Sequence, residues 1–302
     1  MIARVAILTD DPGWHGARLR EALANRGVSS EWVSLRQCRL ELAMGAAGVV
    51  MPGFEELPDG VFVRGVPGGT LEQVVFYLNI LHGLQKLGVC VYNDGRAIER
   101  SVDKGMTSFL LYCSGIPTPA SWVLEEGEAL QSLLGRELKD GQELVLKPLF
   151  GSQGKGLLRI SDPSGLPAAD HYNGVYYLQR FIDTGDSPHD WRVFVVGGRA
   201  RVAMRRSGTG WISNRAQGGC CYPAVLDAEL RELAERSAAI LGLNYAGVDI
   251  LRDRSGQAYV IEVNSIPAWK GLQAVSPIDV AAMLVDDFLD HCPSRGAIEA
   301  VG

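Results

Sequence analysis

The chain has 302 residues, 47% hydrophobic and 21% charged, an ordinary globular composition with room for two or three subdomains. Its net charge of −6, from 29 basic and 35 acidic residues without a Lys/Arg run, argues against a nucleic-acid footprint or an anionic membrane partner. No apolar run approaches about 18 residues, so a transmembrane helix is excluded by length.

The N-terminal stretch MIARVAILTDD turns acidic after one short strand at residues 5–8, unlike a secretory signal, and a cytoplasmic location is expected. A turn-rich segment at 9–15 leads to a helix at about 16–25, and strands are predicted at 31–34, 48–51 and 61–63. A helix follows at 70–87, with Thr70 as N-cap and Gln73 at the capping-box position, then a strand at 89–92. This alternation predicts an N-terminal α/β unit over residues 1–95 with a mostly parallel sheet. The first turn, TDDPGWHG, lacks G-x-G-x-x-G and its aspartates would repel a pyrophosphate, which argues against a nicotinamide dinucleotide.

A second unit, 96–185, opens with a helix running through Asp103 and Lys104 to Cys113 and stopped at Gly115-Ile116-Pro117-Thr118-Pro119. Strands around Trp122 and at 144–149 follow. A third unit, 186–292, carries strands at 192–196 and 201–204 and a helix at 227–241, with Leu226, Leu230, Leu233, Ser237 and Ile240 or Leu241 along one stripe. A hairpin and a final helix at 279–291 complete it, and 293–302 reads as a tail. The six cysteines are scattered without C-x-x-C or zinc-site spacing, so reduced thiols are expected.

Three places carry chemistry. In VLKPLFGSQGKG, Lys147 interrupts an apolar strand, and a lysine in such a place wants an anionic partner. The glycines of Gly151-Ser152-Gln153-Gly154-Lys155-Gly156 let backbone N–H groups approach an anion, and the second apolar stretch at 157–160 makes the loop a hairpin flap rather than a Walker A loop. A flexible surface hairpin is the plainer alternative.

Asp190-x-Arg192, Arg205-Arg206 and Ser213-Asn214-Arg215 place guanidinium groups at strand ends, where they suit carboxylate or phosphate recognition or ordinary ion pairs. The third place is AGVDIL followed by YVIEVNS. Period-two alternation puts Glu262 and Asn264 on one face of their strand, and a turn at 252–256 folds Asp249 across from Glu262. Two such carboxylates about 4 Å apart repel by about 4 kcal/mol at an effective dielectric of about 20. Three oxygen donors without His or Cys suit Mg²⁺. A solvated hairpin face is the alternative.

Taken in order, DKGMTS, VLKPLFGSQGKG, LQRFI, DWRVFVVGGR, RRSGTGWISNRAQGG, AGVDIL and IEVNSIP resemble the ATP-grasp ligases, and within them the RimK-like α-L-glutamate ligases. The resemblance implies an α/β ATP-grasp fold of three subdomains, an N-terminal Rossmann-like one followed by two that hold ATP between them. It also implies that Lys104 and Lys147 meet the phosphates, that Ser152, Gln153 and Gly154 form the flap, and that Gln179, Arg180, Phe181 and Ile182 meet the adenine through backbone. Asp190 would lie near the ribose. Arg206, Ser213 and Asn214 would line the phosphate and acceptor side, with Arg206, Asn214 and Lys147 catalytic. Asp249, Glu262 and Asn264 would bind two Mg²⁺ or Mn²⁺ ions.

Two positions depart from the family pattern. Arg180 stands where a glutamate is usual, and Ile212 where Arg-Ser-Asn would begin.

The activity implied is ADP-forming ligation of an amino acid, preferably L-glutamate, to a carboxylated acceptor such as a methanopterin- or folate-like coenzyme or a protein C-terminus. Relatives of this kind are often homo-oligomers. A ligase of another amino acid, as in lysine biosynthesis, and a non-catalytic nucleotide-binding module are the competing readings. The intact Asp249, Glu262, Asn264, Lys147 and flap speak against the second. No nucleic-acid or membrane partner is expected.

Overall fold

The computed structural model describes residues 2–44, 47–151, 154–208, 210–212 and 218–292. β1 (Arg4–Leu8) leads through α1 (Gly13–Ala24) to β2 (Ser29–Val33). β3 (Arg39–Glu41) and β4 (Gly48–Val50) then form a separate antiparallel pair, and β5 (Gly60–Val63), α2 (Leu71–Lys86) and β6 (Cys90–Tyr92) close the unit. The main sheet is parallel in the order β2-β1-β5-β6. The strand expected at 48–51 therefore exists but lies outside the parallel sheet. Strand order reverses between β1 and β5, and such switch points place ligands at the carboxyl ends of the strands. Thr9 and Arg64 stand there, with Arg64 N–H donating to Leu8 O at 2.9 Å and Thr9 N–H to Val33 O at 3.0 Å.

α2 begins with the reciprocal capping box read from Thr70 and Gln73. The single helix expected up to Cys113 is instead two, α3 (Gly95–Val102) and α4 (Lys104–Cys113). The Asp103 carboxylate accepts from Met106 N–H at 3.0 Å and caps a new helix, which sets Lys104 at its first position.

The central sheet has β7 (Ser121–Glu125), then α5 (Glu128–Lys139), β8 (Leu144–Lys147), β9 (Leu158–Ile160) and β10 (Val175–Arg180), antiparallel in the order β7-β10-β8-β9. Neither α5 nor β10 is anticipated by the sequence reading.

The third sheet uses β11 (His189–Val196), β12 (Arg199–Ser207), β13 (Cys220–Ala224), β14 (Tyr245–Arg252) and β15 (Ala258–Asn264) in the order β13-β12-β11-β14-β15. α6 (Ala228–Leu241) covers one face, burying Leu230, Leu233 and Leu241 with Val193, Val195, Val248, Ile250 and Val263. Leu241, not Ile240, completes its stripe, since Ile240 stays 36% exposed. Ala97, Leu111 and Ile116 join the same core, so α3 and α4 rest on this sheet. The opposite face carries Asp190 and Arg192 toward one end of β11, while Phe194, Val196 and Tyr245 farther along it enter a second apolar core with α8.

α7 (Lys270–Val275) and α8 (Val280–His291) end the described chain. α8 seats the third unit on the first, because Phe288 packs against Phe62 and Tyr92. Cys90 and Cys292, 202 residues apart, meet there as a disulfide with Cα atoms 5.5 Å apart. The expectation of reduced thiols is corrected for that pair, whose proximity only the docking of α8 creates.

Asn93 ties the units together. Its amide donates to Tyr245 O and Ser265 O, both at 2.8 Å, and accepts from Asn244 N–H at 2.7 Å and Tyr245 N–H at 3.2 Å. It is fully buried, with both ends satisfied. An unmade bond at a buried group costs about 1–3 kcal/mol. Asn93→Ala should therefore lower unfolding stability in urea by at least about 3 kcal/mol; a loss below about 1 kcal/mol would show that this stitch holds nothing.

Candidate active site

β8 and β10 place Lys147 opposite Tyr177, and alternation puts Gln179 on the same face. Lys147 Nζ donates to Gln179 Oε1 at 2.6 Å. Gln179 Nε2 is itself held by Tyr177 OH at 3.1 Å and Ser121 Oγ at 3.2 Å, and Tyr177 OH meets Ser108 Oγ at 2.8 Å. The ammonium is fixed by a neutral chain, with no carboxylate within 4 Å among the described residues. Burial lowers its pKa to about 8, with Lys104 acting in the same direction and Glu262 and Asp249 against it. A buried cation stabilised so incompletely is set to receive an anion.

On the polar face of the third sheet, Asp249 stands across from Glu262, as the hairpin spacing predicts. A β-bulge between Asp249 and Ile250 shifts the register there, so Ile261 lines the cavity beside Glu262. Asp249 is not a bare acid. Arg192 binds it through Nε to Oδ1 at 2.7 Å and Nη2 to Oδ2 at 2.6 Å, and Arg206 Nη2 adds a contact to Oδ2 at 2.9 Å. Arg206 also grips Asp190 through two bonds of 2.6 and 2.7 Å. Against the cost of burial, the two guanidinium groups hold the Asp249 carboxyl below the usual range. Glu262 makes no ion pair within 4 Å among the described residues, although its charge supports Lys104 and Lys147.

Lys104 Nζ donates to Gly151 O at 2.7 Å, at the root of the flap, and burial lowers its pKa. Within the flap Gly154 and Gly156 adopt φ of +70° and +71°, and a Cβ on Gly156 would lie 2.9 Å from the Pro148 ring. Ser152, Gln153, Ser213 and Asn214 lie outside the described residues.

Two cavities meet along this surface. One of about 420 Å³ is lined by Val145, Lys147, Gln179, Phe181, Ile182 and Trp211, among others. It lies within the range of small-molecule sites. The other, of about 60 Å³, is lined by Lys104, Lys147, Gly154, Arg206, Asp249 and Glu262. Lys147, Leu157, Asp190 and Ile261 belong to both, so the two are continuous.

The described site residues are thus gathered around one cleft, with two qualifications. Arg180 turns its guanidinium to Glu137 on α5, with Nη2 2.6 Å from Oε2, so its side chain is a structural ion pair. Asn264 donates from Nδ2 to Gly247 O at 3.3 Å, which leaves its amide oxygen as the available donor atom for a cation. The sequence reading missed the Ser108–Tyr177–Ser121 support of Lys147. Reading VYYLQR as a strand would have put Tyr177 and Gln179 on one face.

Residues 101–288 match the family profile described as a RimK-like ATP-grasp domain. The chain is 35% identical over 237 residues to the tetrahydromethanopterin:alpha-L-glutamate ligase of Methanococcus maripaludis, covering 76% of this chain and 78% of that protein. It is 32% identical over 293 residues to a probable alpha-L-glutamate ligase of Teredinibacter turnerae, covering 94% of each. Among solved structures, the ATP-grasp ligase PsnB complexed with a phosphomimetic variant of its minimal precursor, Mg and ADP aligns over 97% of this chain and 100% of its own, with a TM-score of 0.75 and 19% identity. With its three main sheets, glycine-rich flap and lysine-lined cleft, the chain belongs to the RimK-like ATP-grasp family and is an ATP-dependent ligase.

Proposed function

We propose that this ligase joins the amine of L-glutamate to a carboxylate of a tetrahydromethanopterin-type acceptor through an α-linked amide, by way of an acyl phosphate. One observation carries the reading: a cavity large enough for a nucleoside opens at Lys147 into a small basic pocket that also holds Glu262. The names of the relatives support the choice of amino acid and acceptor, and the need for ATP fits the cytoplasmic location expected from sequence.

In this reading the adenine lies between Phe181, Ile182, Trp211 and Val145. The N–H groups of Arg180 and Phe181 are already donated to Ala120 O and Glu143 O, at 2.7 and 2.8 Å. Ile182 is therefore the hinge residue with an N–H to offer, rather than the whole run from Gln179. Lys147 and Lys104 neutralise phosphate oxygens, and the flap excludes water from the acyl phosphate. An acceptor carboxylate oxygen bonds to the γ-phosphorus as its bond to ADP breaks. The glutamate nitrogen then bonds to the acyl carbon, phosphate leaves, and phosphate can take the amine's proton.

No three acidic, histidine or cysteine side chains among the described residues converge tightly enough to cage a metal. Glu262 and the Asn264 amide oxygen are hard donors that fit Mg²⁺, which is commonly held by one or two carboxylates, substrate phosphates and water. Asp249, engaged by Arg192 and Arg206, would join them only by sharing its oxygens. When bound, the ion would supply charge neutralisation between the two reacting anions.

ADP release should require both L-glutamate and tetrahydromethanopterin. Aspartate, one methylene shorter, should lose about 1–3 kcal/mol of transition-state stabilisation in a fitted site. Faster ADP release with lysine or a neutral amino acid would keep the ligase and discard glutamate.

The lowered Lys147 pKa gives a second expectation. Below about pH 8 the free enzyme presents a charged ammonium to phosphate, and above it a neutral amine. Accordingly kcat/KM for ATP should fall as pH rises through about 8. Lys147→Arg should remove that descending limb, since a guanidinium does not deprotonate there. A limb unchanged in the variant would assign it to another group.

A further inference from the structure

Most of the charge on the third sheet's polar face is balanced, since Arg192 and Arg206 are spent on Asp190 and Asp249. Farther along the same face, past Gly247 and Asn264, the balance changes. Pro267 covers Gly247, its Cβ only 2.8 Å from where a side chain there would begin. Pro267 O accepts from Arg64 Nη1 at 3.2 Å. Arg64 comes from the end of β5, at the switch point of the first sheet, so the ends of two sheets meet here.

The Arg64 guanidinium lies over the Trp269 ring, with Cζ 4.7 Å from its centroid. His15 stacks edge-on against Trp269 at 4.6 Å and accepts the Trp269 backbone N–H through Nε2 at 3.2 Å, which keeps it a neutral acceptor. Lys270 lies over the ring of Trp14, 6.0 Å from its centroid. Burial first, then the charges of Arg64 and Lys270, lower the His15 pKa to about 4.

Two buried donors in this cluster, Arg64 Nε and Trp269 Nε1, have no acceptor among the described residues. Trp269 itself is 0% exposed. Neither Arg64 nor Lys270 has a carboxylate partner within 4 Å among the described residues. Two cations, two unmatched buried donors and a histidine held neutral make a cluster of donors without an anion among the described residues. Unsatisfied buried groups of this kind call for a missing partner.

We propose that Arg64 and Lys270, framed by Trp14, His15 and Trp269, bind a substrate carboxylate and so set specificity for an acidic substrate. The inference rests on the ligase reading above and assigns it a place: the carboxylate binds beyond Gly247 and Asn264, while phosphate chemistry occurs beside Glu262 and Lys147. The carboxylate belongs either to the incoming glutamate or to the acceptor, which share this chemistry.

The test compares wild type with Arg64→Gln and Lys270→Gln in steady-state ADP release, titrating ATP, L-glutamate and tetrahydromethanopterin separately. Melting temperatures serve as the folding control. Arg64→Gln should raise the KM for one carboxylated substrate at least tenfold and leave the KM for ATP within twofold. Lys270→Gln should raise the same KM by a smaller factor, and Arg64→Lys should recover part of the loss.

A shift in the glutamate KM identifies the amino acid as the occupant, and a shift in the tetrahydromethanopterin KM identifies the acceptor. As a further readout, wild type should favour glutamate over glutamine if glutamate is the occupant, and Arg64→Gln should lose that preference. Lys270 is exposed, so its variant carries the test if Arg64→Gln does not fold.

Unchanged KM values for both carboxylated substrates in a folded variant would overturn the proposal, as would an equal rise in the ATP KM. Should wild type release ADP with an amino acid other than glutamate, the functional reading fails. The site is then judged by the same variant-to-wild-type ratios for whichever carboxylated substrate is used.

Discussion

The constraint on which the cleft depends is charge burial on one face of the third sheet. Asp190, Asp249 and Arg206 are at most 3% exposed, and Arg192 is nearly as enclosed. Isolated, any of these charges would cost several kcal/mol to bury. Together they form a neutral set in which every carboxylate oxygen meets a guanidinium donor. Breaking such a buried pair from one side costs about 3–5 kcal/mol. The set therefore acts as a rigid floor, and the charges left over, Lys147, Lys104 and Glu262, are the ones the proposed reaction would use.

Seen this way, Asp249 has two duties. It holds Arg192 and Arg206 in place, and it lies directly across the hairpin from Glu262. The neutral chain behind Lys147 complements this arrangement. Because Gln179, Tyr177 and Ser121 position the ammonium without a counter-charge, its attraction remains for an incoming anion. The first sheet enters through Asn93 and α8, which hold the switch point of β1 and β5 against the end of the third sheet. That contact brings Arg64 against Pro267 and Trp269, although it precedes β14 by 181 residues.

Much of this was legible in the sequence where short-range rules govern. Thr70 and Gln73 announce α2 because capping is a three-residue affair, and the 252–256 turn brings Asp249 close to Glu262, although the bulge beside Asp249 that sets the two directly opposite has no signal in the spacing. The glycines of the flap are readable for the same reason. What escaped depends on distant partners. The Asp249 engagement spans 57 residues to Arg192, and no spacing rule links them. The break at Asp103 was hidden because apolar spacing continues through it, although an aspartate three residues before Met106 is a capping signal. The sequence reading reaches only the end of β10, as part of a hinge at 179–182, which conceals the face shared by Tyr177 and Gln179. Cys90 and Cys292 are joined only by the docking of α8.

The central claim is that the cleft activates a carboxylate by phosphorylating it before the amine attacks. The most direct measurement uses an acceptor whose carboxylate oxygens are labelled with ¹⁸O, with ATP and L-glutamate unlabelled. The phosphate released is then analysed by mass spectrometry or by the isotope shift in its ³¹P resonance. An acyl phosphate requires one labelled oxygen to leave with each phosphate formed alongside product. Unlabelled phosphate accompanying amide formation would contradict the account, because the acceptor oxygen would then never have been bonded to phosphorus.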